Sequence, residues 1–216
     1  FYKYLENAPT WSIKRHESVN LLIDGTWFPN KLCLVVYRDN NIKATLFYRL
    51  TDKEREWEII QDLETLKSMG IRVGSVTSDG EANIIRAVKY ACPHAVRQRC
   101  LAHIERECLA WITQHPKSSA GIMLRRLICQ ISHIKTHNDA RWWVKELNKW
   151  YDEYEEFIKE RTISPNGEKA YTHDNIRKAY LHAYRAIPDM FKFIDHPDIP
   201  KTTNALESFF GHLKDH

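Results

Sequence analysis

The sequence predicts an α/β protein, a mixed five-stranded sheet flanked by helices, with an all-helical insertion before the last helix. Three observations carry this prediction. Three strand-like runs follow one another through short turns, which is the pattern of an antiparallel meander. Helix and strand periodicities then alternate, which calls for crossover connections and a mixed sheet. Residues 116–190 hold long helical patterns and no strand pattern.

Residues 1–18 are polar and aromatic, are broken by Pro9, and begin at Phe1 rather than Met; they read as the remnant of an upstream region. Strand runs are expected over 19–27, 31–38 and 42–50, joined through Pro29-Asn30 and Asp39-Asn40-Asn41. Over 54–69, Trp57, Ile60, Leu63 and Leu66 recur at helical spacing, and Gly70 stops the helix. A fourth strand is expected over 72–78 and a helix over 81–90, with Asp79 as its N-cap. A short strand over 94–100 and a helix over 101–114 follow. Right-handed crossovers would set the fourth strand beside the first. The insertion reads as helices over 118–134, 138–161 and 173–186, with a break at Ser164-Pro165-Asn166-Gly167. Residues 191–200 are a proline-broken linker, and Leu206, Phe209, Phe210 and Leu213 stripe a last helix. The expected divisions are therefore 19–115 as the first part of the core, 116–190 as the insertion, and 191–216 as the linker and returning helix.

Composition narrows the function. The 216 residues are 43% hydrophobic, enough for a sizeable core, and no run approaches a membrane span. No secretory leader is visible, and five cysteines without a disulfide pattern point to a reducing compartment rather than secretion. A net charge of +4 permits a nucleic-acid partner without requiring one. Seven glycines, with no GxGxxG or GxxxxGK[ST], argue against a nucleotide-cradling loop.

Two stretches concentrate the chemistry. Leu21-Leu22-Ile23-Asp24-Gly25-Thr26-Trp27-Phe28 puts one carboxylate in an apolar strand, where an ionised group is costly unless a metal, a cation or several donors compensate it. Ile71 to Gly80 repeats the arrangement and ends in Asp79-Gly80. Two adjacent strands ending in Asp-Gly would bring two carboxylates to one sheet edge. Glu207 follows Leu206 on the rim of the last helix's apolar face. Taken singly, each residue has a plain explanation: Asp24 as a turn initiator, Asp79 as a helix cap, and Glu207 as a solvated carboxylate.

Taken together, LLIDGTWF, SVTSDGE, QRCLAH and TTNALESFFGHLK resemble the catalytic domain of DDE transposases, in particular the IS256 and Mutator-like group. The resemblance implies a ribonuclease-H-like fold and metal-dependent cleavage of transposon ends, followed by strand transfer into target DNA. It makes Asp24, Asp79 and Glu207 the catalytic and metal-binding triad. The cofactor would be Mg²⁺ (or Mn²⁺), two ions per site, which oxygen ligands suit. It gives Cys100 and His103 a supporting role as a CxxH motif. The partners would be double-stranded DNA, as transposon ends and target, and further copies of the chain in a dimer or higher oligomer, with no membrane. The location would be cytoplasm and nucleoid in a bacterium, or the nucleus in a eukaryote. A nuclease that cuts without joining, and a domesticated transposase that only binds DNA, remain as alternatives.

Further readings stay open at this stage. Cys92, His94, Cys100 and His103 could together hold zinc, at a spacing unlike a standard finger, and the bland alternative is a packed Cys and a satisfied His. Arg97, Arg99 and Arg106 are candidate DNA contacts or an ordinary solvated cluster. Trp142 and Trp143 are candidate stacking residues. Adjacent positions cannot both face one core, and Trp143, Leu147 and Trp150 also fit a core stripe.

Overall fold

In the computed structural model, residues 18–163 and 167–214 are described. The upstream remnant over 1–17, and residues 164–166 of the break inside the insertion, lie outside the described residues.

The sheet contains β1 (Val19–Phe28), β2 (Leu32–Asp39), β3 (Ala44–Thr51), β4 (Val73–Ser78) and β5 (Val96–Arg99). Their spatial order is β3-β2-β1-β4-β5. The first three strands are antiparallel, β4 runs parallel to β1, and β5 runs parallel to β4. This is the ribonuclease-H-like arrangement. β1 is central because its apolar residues face both ways: Leu21, Leu22 and Ile23 are all fully buried. Alternation then sorts them. Leu21, Ile23, Val35 and Tyr37 pack under α1 (Glu56–Ser68) and α2 (Ala82–Ala91), which carry β3 to β4 and β4 to β5. Leu22, Leu34 and Val36 meet Leu206 and Phe210 of the last helix on the other face.

After β5 the chain builds a helical layer: α3 (Leu101–Ile112), α4 (Ser119–Ile128), α5 (His137–Lys159), α6 (Asp174–Met190) and the short α7 (Lys192–Asp195). Leu101, Ile104 and Cys108 of α3 share one core with Leu124, Trp143, Leu147, Tyr180 and Met190. The last helix is α8 (Asn204–Lys214).

The structure corrects three expectations. The insertion is not all-helical. Arg161–Ile163 and Lys169–Tyr171 pair as an antiparallel hairpin, β6 and β7, whose residues are mostly exposed. With only three residues per strand, the hairpin leaves no periodicity to read. The helix expected over 118–134 ends at Ile128, and a 3₁₀ turn follows at Ile131–His133. The linker over 191–200 contains a helical turn. Buried Gln98 sets this by tertiary contact: its amide donates to Met190 O at 2.9 Å and accepts from Phe193 N at 3.1 Å.

Candidate active site

Asp24 lies on the same strand face as Leu22, toward α8, and is 5% exposed. Its Oδ1 accepts from the Gly25 N–H at 2.9 Å. Burial pushes its carboxyl up to about 7, and the nearby charge of Asp79 adds to the shift. The register explains Asp79. Leu22 is opposite Thr77 in the parallel pair and β4 stops at Ser78, so Asp79 leaves the sheet beside Asp24, which sits within β1. Asp79 does not cap α2 as the sequence suggested. Its Oδ1 accepts from Glu81 N–H at 2.9 Å, and Glu81 occupies the cap position.

Glu207 returns to this edge on a stapled segment. The Thr77 hydroxyl donates to Pro200 O at 2.8 Å, and Leu101 N–H donates to Lys201 O at 3.0 Å. Thr203 N–H donates to Cys100 Sγ at 3.2 Å. The Thr203 carbonyl then accepts from Leu206 and Glu207 N–H, at 2.8 and 3.2 Å, and opens α8. Leu206 and Phe210, one helical turn apart, seat α8 on the sheet. Glu207 is thereby held at the rim, where Arg106 grips both its oxygens at 2.8 and 3.2 Å. That grip lowers the Glu207 pKa.

His103 completes the convergence. One ligand atom from each of Asp24, His103 and Glu207 lies within 4.8 Å of the other two, the sole such cluster of three or more His, Cys, Asp or Glu among the described residues. His103 Nδ1 is 3.3 Å from Thr203 Oγ1, whose own proton goes to Cys100 Sγ at 3.4 Å or to the Asp24 carboxylate. On the other side of the ring Nε2 is 3.8 Å from Glu207 Oε1, so His103 bridges Thr203 and Glu207. Burial, and secondarily Arg106, lowers the His103 pKa, which favours the neutral ring. The CxxH motif thus has a structural account: Cys100 anchors Thr203, and Thr203 holds the His103 ring in place.

Asp79 is close enough to act on Asp24 electrostatically but is outside the three-residue cluster. Its surroundings include Glu54, which sequence reasoning missed, and Arg99, which it named only as a candidate DNA contact. The Glu54 carboxylate lies over Gly25, where an added Cβ would be 1.8 Å from Oε1. Burial, with Asp79, raises the Glu54 pKa. Arg99 packs against Gly80 so closely that a Cβ there would be 1.7 Å from Nε. The Asp-Gly repeat was the available signal, because each glycine admits a second charged group beside its aspartate.

The remaining candidates divide. Arg106 holds Glu207, while Arg97 faces Asp189 at 3.5 Å. Arg99 is buried, and burial lowers its pKa. Trp142 is 49% exposed, but Trp143 is fully buried and donates Nε1–H to Leu127 O at 2.8 Å. Trp143 is a core residue, which corrects the expectation that it contacts DNA. The zinc set does not assemble: Cys92 and His94 do not join Cys100 and His103 in a ligand cluster among the described residues.

The model of the transposase IS66 family matches residues 32–209, a span that includes Asp79, Cys100, His103 and Glu207 and begins after Asp24. No curated protein matches the chain. Among solved structures, the HTLV-2 integrase catalytic core domain in complex with magnesium (trimeric form) aligns at 16% identity. The alignment covers 71% of this chain and 95% of that one, with a TM-score of 0.33. The IS256 and Mutator-like grouping expected from the motifs is corrected by the family match. Those motifs describe carboxylates at strand ends and on a helix, features that do not separate one transposase family from another. With 32–209 matched, the chain belongs to the IS66 transposase family.

Proposed function

We propose that Asp24, Asp79 and Glu207 form the catalytic carboxylate centre of this DDE transposase, acting on phosphodiester bonds at transposon ends and in target DNA. The observation that carries this reading is the convergence of Asp24 and Glu207, from opposite ends of the chain, with His103. The donor set fits Mg²⁺ or Mn²⁺: hard carboxylate oxygens with one imidazole nitrogen, around a buried Asp24 whose charge needs a cation. Such ions would supply Lewis-acid charge against the attacking and leaving oxygens of an in-line displacement. Asp24 and Glu207 would hold the cation, with Asp79 bordering the site. His103, with its ring held between Thr203 and Glu207, would add its nitrogen to that donor set. Arg106, exchanged from Glu207, would meet phosphate. In this reading 19–115 and 191–216 make the catalytic core, and 116–190 is an insertion within it.

The test is Mn²⁺ titration calorimetry together with cleavage and joining of labelled terminal DNA, using Asp24→Asn, Asp79→Asn and Glu207→Gln. Each variant should lose activity, and Asp24→Asn and Glu207→Gln should also lose Mn²⁺ binding. Wild-type cleavage by Asp79→Asn would remove it from the triad.

One observation favours a second reading. Glu54 and Glu107 add carboxylates near Asp79, and burial first, then the Asp79 charge, raises the pKa of each. A site richer in acid than three carboxylates suits a nuclease that cuts without joining. Joined products in the same assay would exclude that reading.

A further inference from the structure

Beside the carboxylate edge, a cavity of about 460 Å³ opens between the Asp79–Ala82 turn, α3 and α6. One end is acidic, with Asp79, Glu81 and Glu107, and the α6 wall is cationic, with Arg177, Lys178 and Arg185. The helical repeat makes that wall: Lys178, Leu181, His182 and Arg185 are three or four residues apart and share a face. Trp111 forms the facing wall one turn along from Glu107, with its ring edge-on to His182 at 5.4 Å.

Two features of this cleft are unexplained by the fold. Arg99 is 9% exposed and its buried Nε has no hydrogen-bond partner, although the side chain lines the cavity. A buried, incompletely bonded guanidinium is costly unless an anion is nearby. The acids at the Asp79 end compensate Arg99 in part. Arg185 is exposed and makes no side-chain hydrogen bond or ion pair among the described residues. By contrast Lys178 is tied to Asp174 at 2.6 Å, and Arg177 stacks on Tyr171 with its carbon 3.9 Å from the ring centroid. The unpaired charge of the cleft is therefore that of Arg185, with the buried Arg99, its Nη2 3.5 Å from His182 and its Nε without a partner, lining the same cleft.

We infer that this cleft takes a single DNA strand, with Arg99 and Arg185 on successive phosphates and Trp111 beside a base, and leads that strand to Asp79. The inference rests on the DNA-cutting function proposed above and adds the path of the strand. Size decides for one strand over a duplex. At about 460 Å³ the cleft has the volume of a small-molecule site, which a nucleotide can enter and a double helix cannot. Charge decides the direction, because phosphates favour the α6 wall and the acidic end is left to cations. The aromatic wall offers a stacking surface that is indifferent to sequence.

The experiment is fluorescence anisotropy with the whole chain, in Ca²⁺, on a labelled blunt duplex and on the same duplex with a single-stranded overhang. Wild type should bind the overhang substrate more tightly. Arg185→Glu should weaken that binding about tenfold, with a salt dependence shallower by about 0.7 for each phosphate it no longer neutralises, and should leave blunt-duplex binding nearly unchanged. Trp111→Ala should weaken overhang binding without changing the salt slope. Lys89→Glu makes the same charge change at an exposed position of α2 and should behave as wild type. Overhang binding by Arg185→Glu equal to that of Lys89→Glu overturns the cleft while leaving the DNA reading intact. A wild-type chain that binds neither DNA overturns both.

Discussion

Replacing Asp24 with Asn tests the central electrostatic argument through stability alone. In the folded chain burial holds the Asp24 carboxyl up to about 7, against 3.8 for the free side chain. Between those values the folded state keeps a proton that the unfolded state has released, so stability without metal falls as pH rises. The gap of roughly 3 units, at 1.36 kcal/mol each, amounts to about 4 kcal/mol by pH 8. The loss is negligible below pH 4 and is complete once pH passes 7. Asn keeps an oxygen for the Gly25 N–H and carries no charge, so Asp24→Asn should match wild type near pH 4 and exceed it by about 4 kcal/mol at pH 8 in EDTA. For a chain of this size that is a Tm difference of about 10 °C. Calorimetry of both proteins from pH 4 to 8 reads it directly. Saturating Mn²⁺ at pH 8 should raise the wild-type Tm and leave that of the variant in place. Parallel pH profiles for the two proteins would refute the reasoning, because Asp24 would then ionise in place at no cost.

Arg106→Gln should tighten Mn²⁺ binding, because Glu207 loses a competing partner. Arg106 is 55% exposed, so the gain should stay within about fivefold, the range of a screened surface pair, while DNA binding weakens; calorimetry and a salt titration check the two effects. Thr203→Val removes the hydroxyl between Cys100 and His103 and should lower stability by about 1–3 kcal/mol. It should also shift the acid limb of the pH–rate profile, which a packing defect alone would leave in place. Trp143→Ala should cost about 3–5 kcal/mol in denaturant unfolding with no specific loss of DNA binding, whereas Trp142→Ala should be nearly neutral for stability.

The sheet was legible because its signals are local. Turn residues at Pro29-Asn30 and Asp39-Asn40 mark the meander, and Gly70 ends α1, so element order and the adjacency of Asp24 and Asp79 follow from the sequence. The Trp142–Trp143 pair was legible in part: one had to be buried, but which one depends on Leu127 O lying within reach of the Trp143 indole. The return of Glu207 was not legible, because it depends on long-range bonds from Thr77, Cys100 and Leu101 to residues 200–203. No periodicity encodes such bonds. Nor does any pattern mark Thr203, whose hydroxyl links Cys100 to His103.

Asp62 shows why burial of a carboxylate does not by itself mark a site. It is fully buried, deeper than Asp24, and sits on an amphipathic helix with nothing in its neighbours to set it apart. Yet Tyr37 donates to it at 2.8 Å, and Arg49 closes on both its oxygens. Its lone pairs are met within the protein, and it has no capacity left for a ligand. Asp24 has one backbone donor and a threonine hydroxyl, and faces two further acids and an imidazole rather than a cation. The two aspartates therefore answer opposite questions. Removing Asp62 would strand Arg49 and Tyr37 and weaken the fold, while neutralising Asp24 should strengthen the metal-free fold and abolish the site. What singles out Asp24 as a candidate metal ligand is its unmet demand for positive charge, and that demand is set by which groups the fold brings near it.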